Sequence, residues 1–150
     1  MHGATIIIGL RFFKHEMILA SKVGITPHIN NFGLGDTGRY RTNLWDYPGI
    51  TSMGGSWLAD LAMQPTVKPV ALVAYAIRDC SKRSGVVLDM FAGSGTTLIA
   101  ARKCGRIARL IEFDPVYCDM IIRRYELLAG NHARLKSTGE AFESPADRRR

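Results

Sequence analysis

Apolar residues are scattered through the first 64 positions and become regularly spaced only after them. Glu16-Met17-Ile18-Leu19-Ala20 reads as a strand. Residues 22–64 then hold most of the turn formers, from Gly24, Pro27, Gly33, Gly35 and Gly38 to Pro48, Gly49, Gly54 and Gly55. A stretch that long with little periodicity is either disordered or a functional loop. Its aromatics, Phe32, Tyr40, Trp45, Tyr47 and Trp57, argue against disorder. Beyond it, Val70, Val73, Ala74, Ile77 and Cys80 fall at helical spacing, with Thr66 as a cap, Pro69 in the first turn and Ser84-Gly85 as the stop. The unbroken apolar run Val86–Met90 predicts a strand buried on both faces. Thr96–Cys104 reads as a helix closed by Gly105, and Ile107–Phe113 as a second strand. Pro115 opens a third helix whose face is Cys118, Ile121, Ile122 and Tyr125 and whose end is Gly130. Residues 131–150 are polar, finish on three arginines and are expected to be largely disordered. Helix, strand, helix, strand, helix over residues 66–128 predicts an α/β chain, half of a doubly wound parallel sheet.

Composition narrows the partners more than the fold. The 150 residues suit one domain, and 47% hydrophobic with 22% charged is ordinary for a soluble protein. No run reaches the ~20 apolar residues of a membrane span, so no membrane partner is expected. The opening Met1–Leu10 has a short apolar patch but neither a basic leader nor a small-residue cleavage site. Cys80, Cys104 and Cys118 form no C-x-x-C pair, and the four histidines lack metal-ligand spacing. They read as buried thiols in a reducing cytoplasm, with no metal. A net charge of +7 favours an anionic partner, nucleic acid foremost, against simple solubility.

The densest chemistry lies in Asp89-Met90-Phe91-Ala92-Gly93-Ser94-Gly95-Thr96-Thr97. A strand runs into an acid, then a glycine turn, then a helix start, where bare backbone N–H groups meet a positive helix end. A P-loop would need Lys then Ser or Thr after Gly95, and Thr96-Thr97 stand there instead. A G-x-G-x-x-G fingerprint would need glycine where Leu98 stands. A third reading uses no phosphate: Asp89, the flat face of Phe91, and the donors of Gly93-Ser94-Gly95. Glu112, at the end of the next strand, is where an α/β nucleoside site places a carboxylate on ribose hydroxyls. A nucleoside carrying an amino-acid group, S-adenosylmethionine, fits both ends. The plain alternative is a tight strand–helix turn with Glu112 as a solvated strand end.

Three segments in order, Pro65-Thr66-Val67-Lys68-Pro69, Asp89–Thr97 and Ile111-Glu112-Phe113-Asp114-Pro115-Val116-Tyr117, resemble the DNA N6-adenine/N4-cytosine methyltransferases. The likeness is to the C-terminal portion of the branch whose catalytic motif precedes its cofactor motif. It leaves residues 1–10 out, and Gln64 stands where many members have histidine. The resemblance implies a partial Rossmann-like sheet of the type used by methyltransferases that depend on S-adenosylmethionine. It implies that Asp89, Phe91, Gly93, Ser94 and Gly95 line the methionine end, that Glu112 takes the ribose, and that Thr66 and Lys68 close over the methionine. It implies methyl transfer to an exocyclic amine of adenine or cytosine in DNA, in a cytoplasmic restriction–modification setting.

The family's catalytic motif, an Asp, Asn or Ser before Pro-Pro and an aromatic, holds and stacks a flipped base. The six prolines here include no adjacent pair, so that motif is absent. Asp114-Pro115-Val116-Tyr117 is a weak imitation; its plain role is an Asp cap with proline at the first helical position. Four segments are therefore expected: an atypical N-terminus at 1–15 and truncation point, a strand and DNA-side loop over 16–64, a cofactor-binding portion at 65–130, and the tail 131–150. Within the loop, Arg39, Tyr40 and Arg41 are candidates for DNA contact, against solvated arginines and aromatics packed onto the sheet. The chain is expected to bind the cofactor weakly and to transfer no methyl group alone. The alternatives are a non-catalytic remnant, one subunit of a split enzyme whose other chain supplies the upstream half, or another nucleotide-binding α/β enzyme.

Overall fold

The computed structural model describes residues 4–8, 18–22, 25, 29, 31, 44–47 and 67–142. Two strands, β1 (Ala4–Ile8) and β2 (Ile18–Lys22), form an antiparallel pair with Ile6 opposite Ala20. The apolar patch at the start of the chain is thus a strand, its Ile6-Ile7-Ile8 run being β-branched and stiff. The predicted strand over 16–20 sits slightly downstream, at Ile18–Lys22.

The main unit follows from residue 67. Helix α1 (Val70–Cys80) leads to β3 (Val86–Asp89), α2 (Thr96–Cys104), β4 (Ile107–Leu110) and α3 (Pro115–Ala129). β3 and β4 pair in parallel, Val86 with Ile107 and Asp89 with Leu110, so α2 is the crossover of a βαβ unit. The capping chemistry explains the boundaries. Pro69 is the residue before α1, and Thr66 lies outside the described residues. α1 stops at Cys80, not at Ser84, because Asn31 takes over its last carbonyls. The Asn31 side chain donates to Arg78 and Ser81 oxygens, and its N–H donates to Asp79. α2 and α3 both end on left-handed glycines, Gly105 and Gly130, and Asp114 caps α3 with Pro115 at the first helical position. β4 ends at Leu110, short of the predicted Phe113. There the chain turns, and the Glu112 side chain takes the next two backbone N–H groups.

The core lies between α1 and α2 on one face of the sheet. Val73, Ala74 and Ile77 of α1 meet Ala100, Ala101 and Cys104 of α2, with Val87 and Ala108 below them. Ala100 and Ala101 have no exposed surface, so two small side chains set how closely the helices approach. The expectation that β3 is buried on both faces fails. Val87 faces the core, but Val86 and Leu88 are 63% and 61% exposed. Strand residues alternate between faces, and both helices lie on the same one. An apolar run shows that a strand is compatible with two covered faces; it does not supply the second cover.

Trp45 and Tyr47 pack edge-on against Tyr75 of α1, with ring centroids 4.7 and 6.3 Å away. The expected disorder of residues 131–150 also fails in its first part. Arg134 bridges Ala141, Phe142 N–H donates to Ala133 O, and Glu126 of α3 accepts Ala133 N–H at 2.7 Å. This segment is ordered by backbone pairing, which needs no apolar core. Replacing Ala101 with leucine should overpack the α1–α2 contact and cost about 1–3 kcal/mol. A lowered urea midpoint checks this; an unchanged midpoint would place the core elsewhere.

Candidate functional site

The carboxyl ends of β3 and β4 bring two acids onto one turn. Asp89 closes β3 and spans the turn: one oxygen accepts Phe91 N–H at 3.0 Å, the other the Thr97 hydroxyl at 2.6 Å. Glu112 follows β4 and reaches across to it. Its Oε2 accepts Gly93 N–H at 2.7 Å, while Oε1 accepts Phe113 and Asp114 N–H at 2.9 and 3.0 Å. The donated bond from Asp114 N–H, ahead of those from Gly93 and Phe113, holds the Glu112 carboxyl below its ordinary range despite some desolvation.

The turn is consequently less bare than the sequence suggests. The N–H groups of Phe91, Ala92, Gly93 and Gly95 all have acceptors inside the protein: Asp89, Ile111 O, Glu112 and Ala92 O. Gly93 and Gly95 have φ of 50° and 72°, a region that favours glycine. Gly95 is doubly constrained, because a Cβ there would lie 3.0 Å from Ile121 of α3. Phe91 stands 87% exposed beside the turn, and Phe113 is 99% exposed beside Glu112.

Ser94 is buried, its hydroxyl 3.0 Å from that of Thr96. Lys68 is half-buried, and its carbonyl accepts the Thr96 hydroxyl at 3.4 Å, so the segment before α1 meets the start of α2. Asp89, Phe91, Gly93, Ser94, Gly95, Lys68 and Glu112 therefore come together at one end of the sheet. Asp114 spends a side-chain oxygen on Val116 N–H, and Tyr117 is half-buried in the first turn of α3. Arg39, Tyr40 and Arg41 lie outside the described residues, as does Thr66. Burial first, then the charges of Glu112, Asp119 and Asp114, push the Cys118 thiol up, away from nucleophilic work. Among the described residues, no group of three or more His, Cys, Asp or Glu could hold a metal ion, and no helix is long and apolar enough to cross a membrane.

A DNA methylase family model matches residues 15–123, and the turn and both acids fall inside that range. The chain belongs to the DNA methylase family. It is similar to the type II methyltransferase M.ScaI of Streptomyces caespitosus, 37% identical over 89 residues, which are 59% of this chain and 29% of that protein. It is similar to the type II methyltransferase M2.MboI of Moraxella bovis, 31% identical over 123 residues, 77% of this chain and 43% of that one. The chain spans less than half the length of these curated relatives. The solved M1.HpyAVI–SAM complex superposes with a TM-score of 0.53 at 22% identity, over 76% of this chain and 52% of that chain. The fold is thus that of a methylase, a partial Rossmann-like α/β sheet.

Within this methylase fold, sequence reasoning found both acids and missed what lies beneath the turn. Helical spacing marks Ile121 as a core position but does not show its contact with Gly95, and it gives Arg124 no role. The only available signal for Arg124 was its place one helical turn after Ile121, on the buried side of α3. The Glu112 contacts carry a pH signature. A carboxyl held below its unfolded value adds stability above the ordinary carboxylate range and loses it as pH falls through the lowered folded value. Between about pH 7 and pH 3, the urea midpoints of the native chain and Glu112→Gln should converge. A constant gap between them would show that Glu112 does not hold the turn as a charge.

Proposed function

We propose that this chain forms the donor side of an S-adenosylmethionine-dependent DNA methyltransferase, acting on the exocyclic amine of adenine or cytosine. The observation that carries the reading is the convergence of Asp89 and Glu112 on one glycine turn. The residues present suit the cofactor. Exposed Phe91 and Phe113 offer apolar faces beside the acids. Glu112 accepts three backbone bonds out of about four lone-pair sites. To hold both hydroxyls of a ribose it must release one of those donors. The Gly93 N–H, its cross-turn partner, would be that donor. The bound cofactor would supply an electrophilic sulfonium methyl. Asp89 would keep the turn closed under its methionine end, with Lys68 in the adjoining segment.

Methyl transfer between an aligned amine and a sulfonium methyl depends mainly on orientation. The motif that orients the base is not among these 150 residues, whose prolines are never adjacent. Base binding is therefore assigned to polypeptide beyond them, in the same or in a separate chain. The exposed Val86, Leu88 and Ile107, on the sheet face opposite the α1–α2 core, support such a packing partner. Arg39, Tyr40 and Arg41 are assigned to the DNA side, in keeping with the net charge of +7. A cytoplasmic restriction–modification role is part of the same reading, supported by relatives named type II methyltransferases.

Calorimetry on the purified chain should show weak binding of S-adenosylmethionine and none of NAD or ATP. Methyl transfer to DNA should be absent until a polypeptide carrying a Pro-Pro-aromatic motif is added. Preferential binding of NAD or ATP would overturn the cofactor reading, and methylation by the chain alone would overturn the division of labour.

A further inference from the structure

We propose that Arg124 is a positioning residue for the glycine turn, fixing the Ser94–Gly95 peptide and the start of α2 from beneath. The proposal rests on reading this turn as the cofactor site. Arg124 lies on α3, and its Nη1 donates to the Ser94 carbonyl at 2.8 Å and to Thr96 Oγ1 at 3.3 Å. Both of these acceptors are neutral oxygens on buried residues.

The Ser94 carbonyl needs a partner. The helical ladder of α2 begins one residue later, where Leu98 and Ile99 N–H both donate to Gly95 O. A carbonyl buried just ahead of a helix and left without a donor is costly. The guanidinium supplies the donor, and burial lowers its pKa while leaving it charged. Ile121, on the same side of α3, sits against Gly95, 3.0 Å from where a Cβ would lie. An apolar stop and a charged donor thus hold adjacent peptides.

The consequence reaches a third segment. Thr96 Oγ1 accepts from Arg124 and donates to the Lys68 carbonyl at 3.4 Å. The glycine turn, the start of α2 and the segment entering α1 therefore share one anchor on α3. Arg124 acts through these groups and does not itself meet the methyl donor.

The full chain carrying Arg124→Met, which keeps much of the side-chain length but removes the donors, tests this against Arg124→Lys. The readouts are amide hydrogen exchange of the cofactor-free proteins and their affinity for S-adenosylmethionine. In Arg124→Met, exchange at residues 93–98 should accelerate at least about tenfold beyond any change in α1, and affinity should fall by a similar factor. Arg124→Lys should recover most of both. Equal acceleration in α1 and the turn, or a lysine variant no better than methionine, would overturn the proposal. Should Arg124→Met fail to fold, Arg124→Gln and Arg124→Lys decide it by the same exchange ratio. If the native chain binds no S-adenosylmethionine, the cofactor reading falls, and the exchange data still decide the role of Arg124.

Discussion

The carboxylate of Glu112 holds three backbone N–H groups at once, from Gly93, Phe113 and Asp114. That cluster joins the two crossover turns of the sheet. Beside it, Ile111 pairs its backbone with Ala92 and with Asp89, the last residue of β3. Charge-assisted bonds of this kind are stronger than neutral ones, and here they fix where α3 begins. α3 in turn delivers Ile121 and Arg124 to the underside of the glycine turn. The glycine turn is thus clamped by an acid on one side and braced by a helix on the other.

This arrangement changes what the glycine turn is. An anion cradle would present unpaired N–H groups, whereas four of those in this turn already have protein acceptors. The acids are structural members first. On the proposed reading, Glu112 would bind a ligand hydroxyl by giving up one of its backbone donors. A site that must give up a bond to bind starts with an energetic cost, in keeping with the weak cofactor binding proposed for this chain.

The legible parts of the sequence were those governed by local chemistry. Asp114-Pro115 announced a helix start, and Gly105 and Gly130 announced helix ends, because each depends on a few neighbouring residues. Relations between elements were not legible. Val86 and Leu88 look like core residues until the faces are assigned, and only the packing of α1 and α2 on one side exposes them. Arg124 looks like a surface cation because the carbonyl it serves is 30 residues away in the chain. Residues 133–142 look disordered because their order comes from backbone pairing and from Glu126, not from apolar side chains.

The central claim is that the clamped turn is the methyl-donor pocket. An amide-resolved NMR titration of the isotope-labelled chain with S-adenosylmethionine tests it most directly. The account predicts that the largest shifts fall on Phe91, Gly93, Ser94, Gly95 and Phe113, with Gly93 foremost as its bond to Glu112 is exchanged. Saturable shifts confined to other parts of the chain, with residues 91–95 and 112–114 silent, would contradict it.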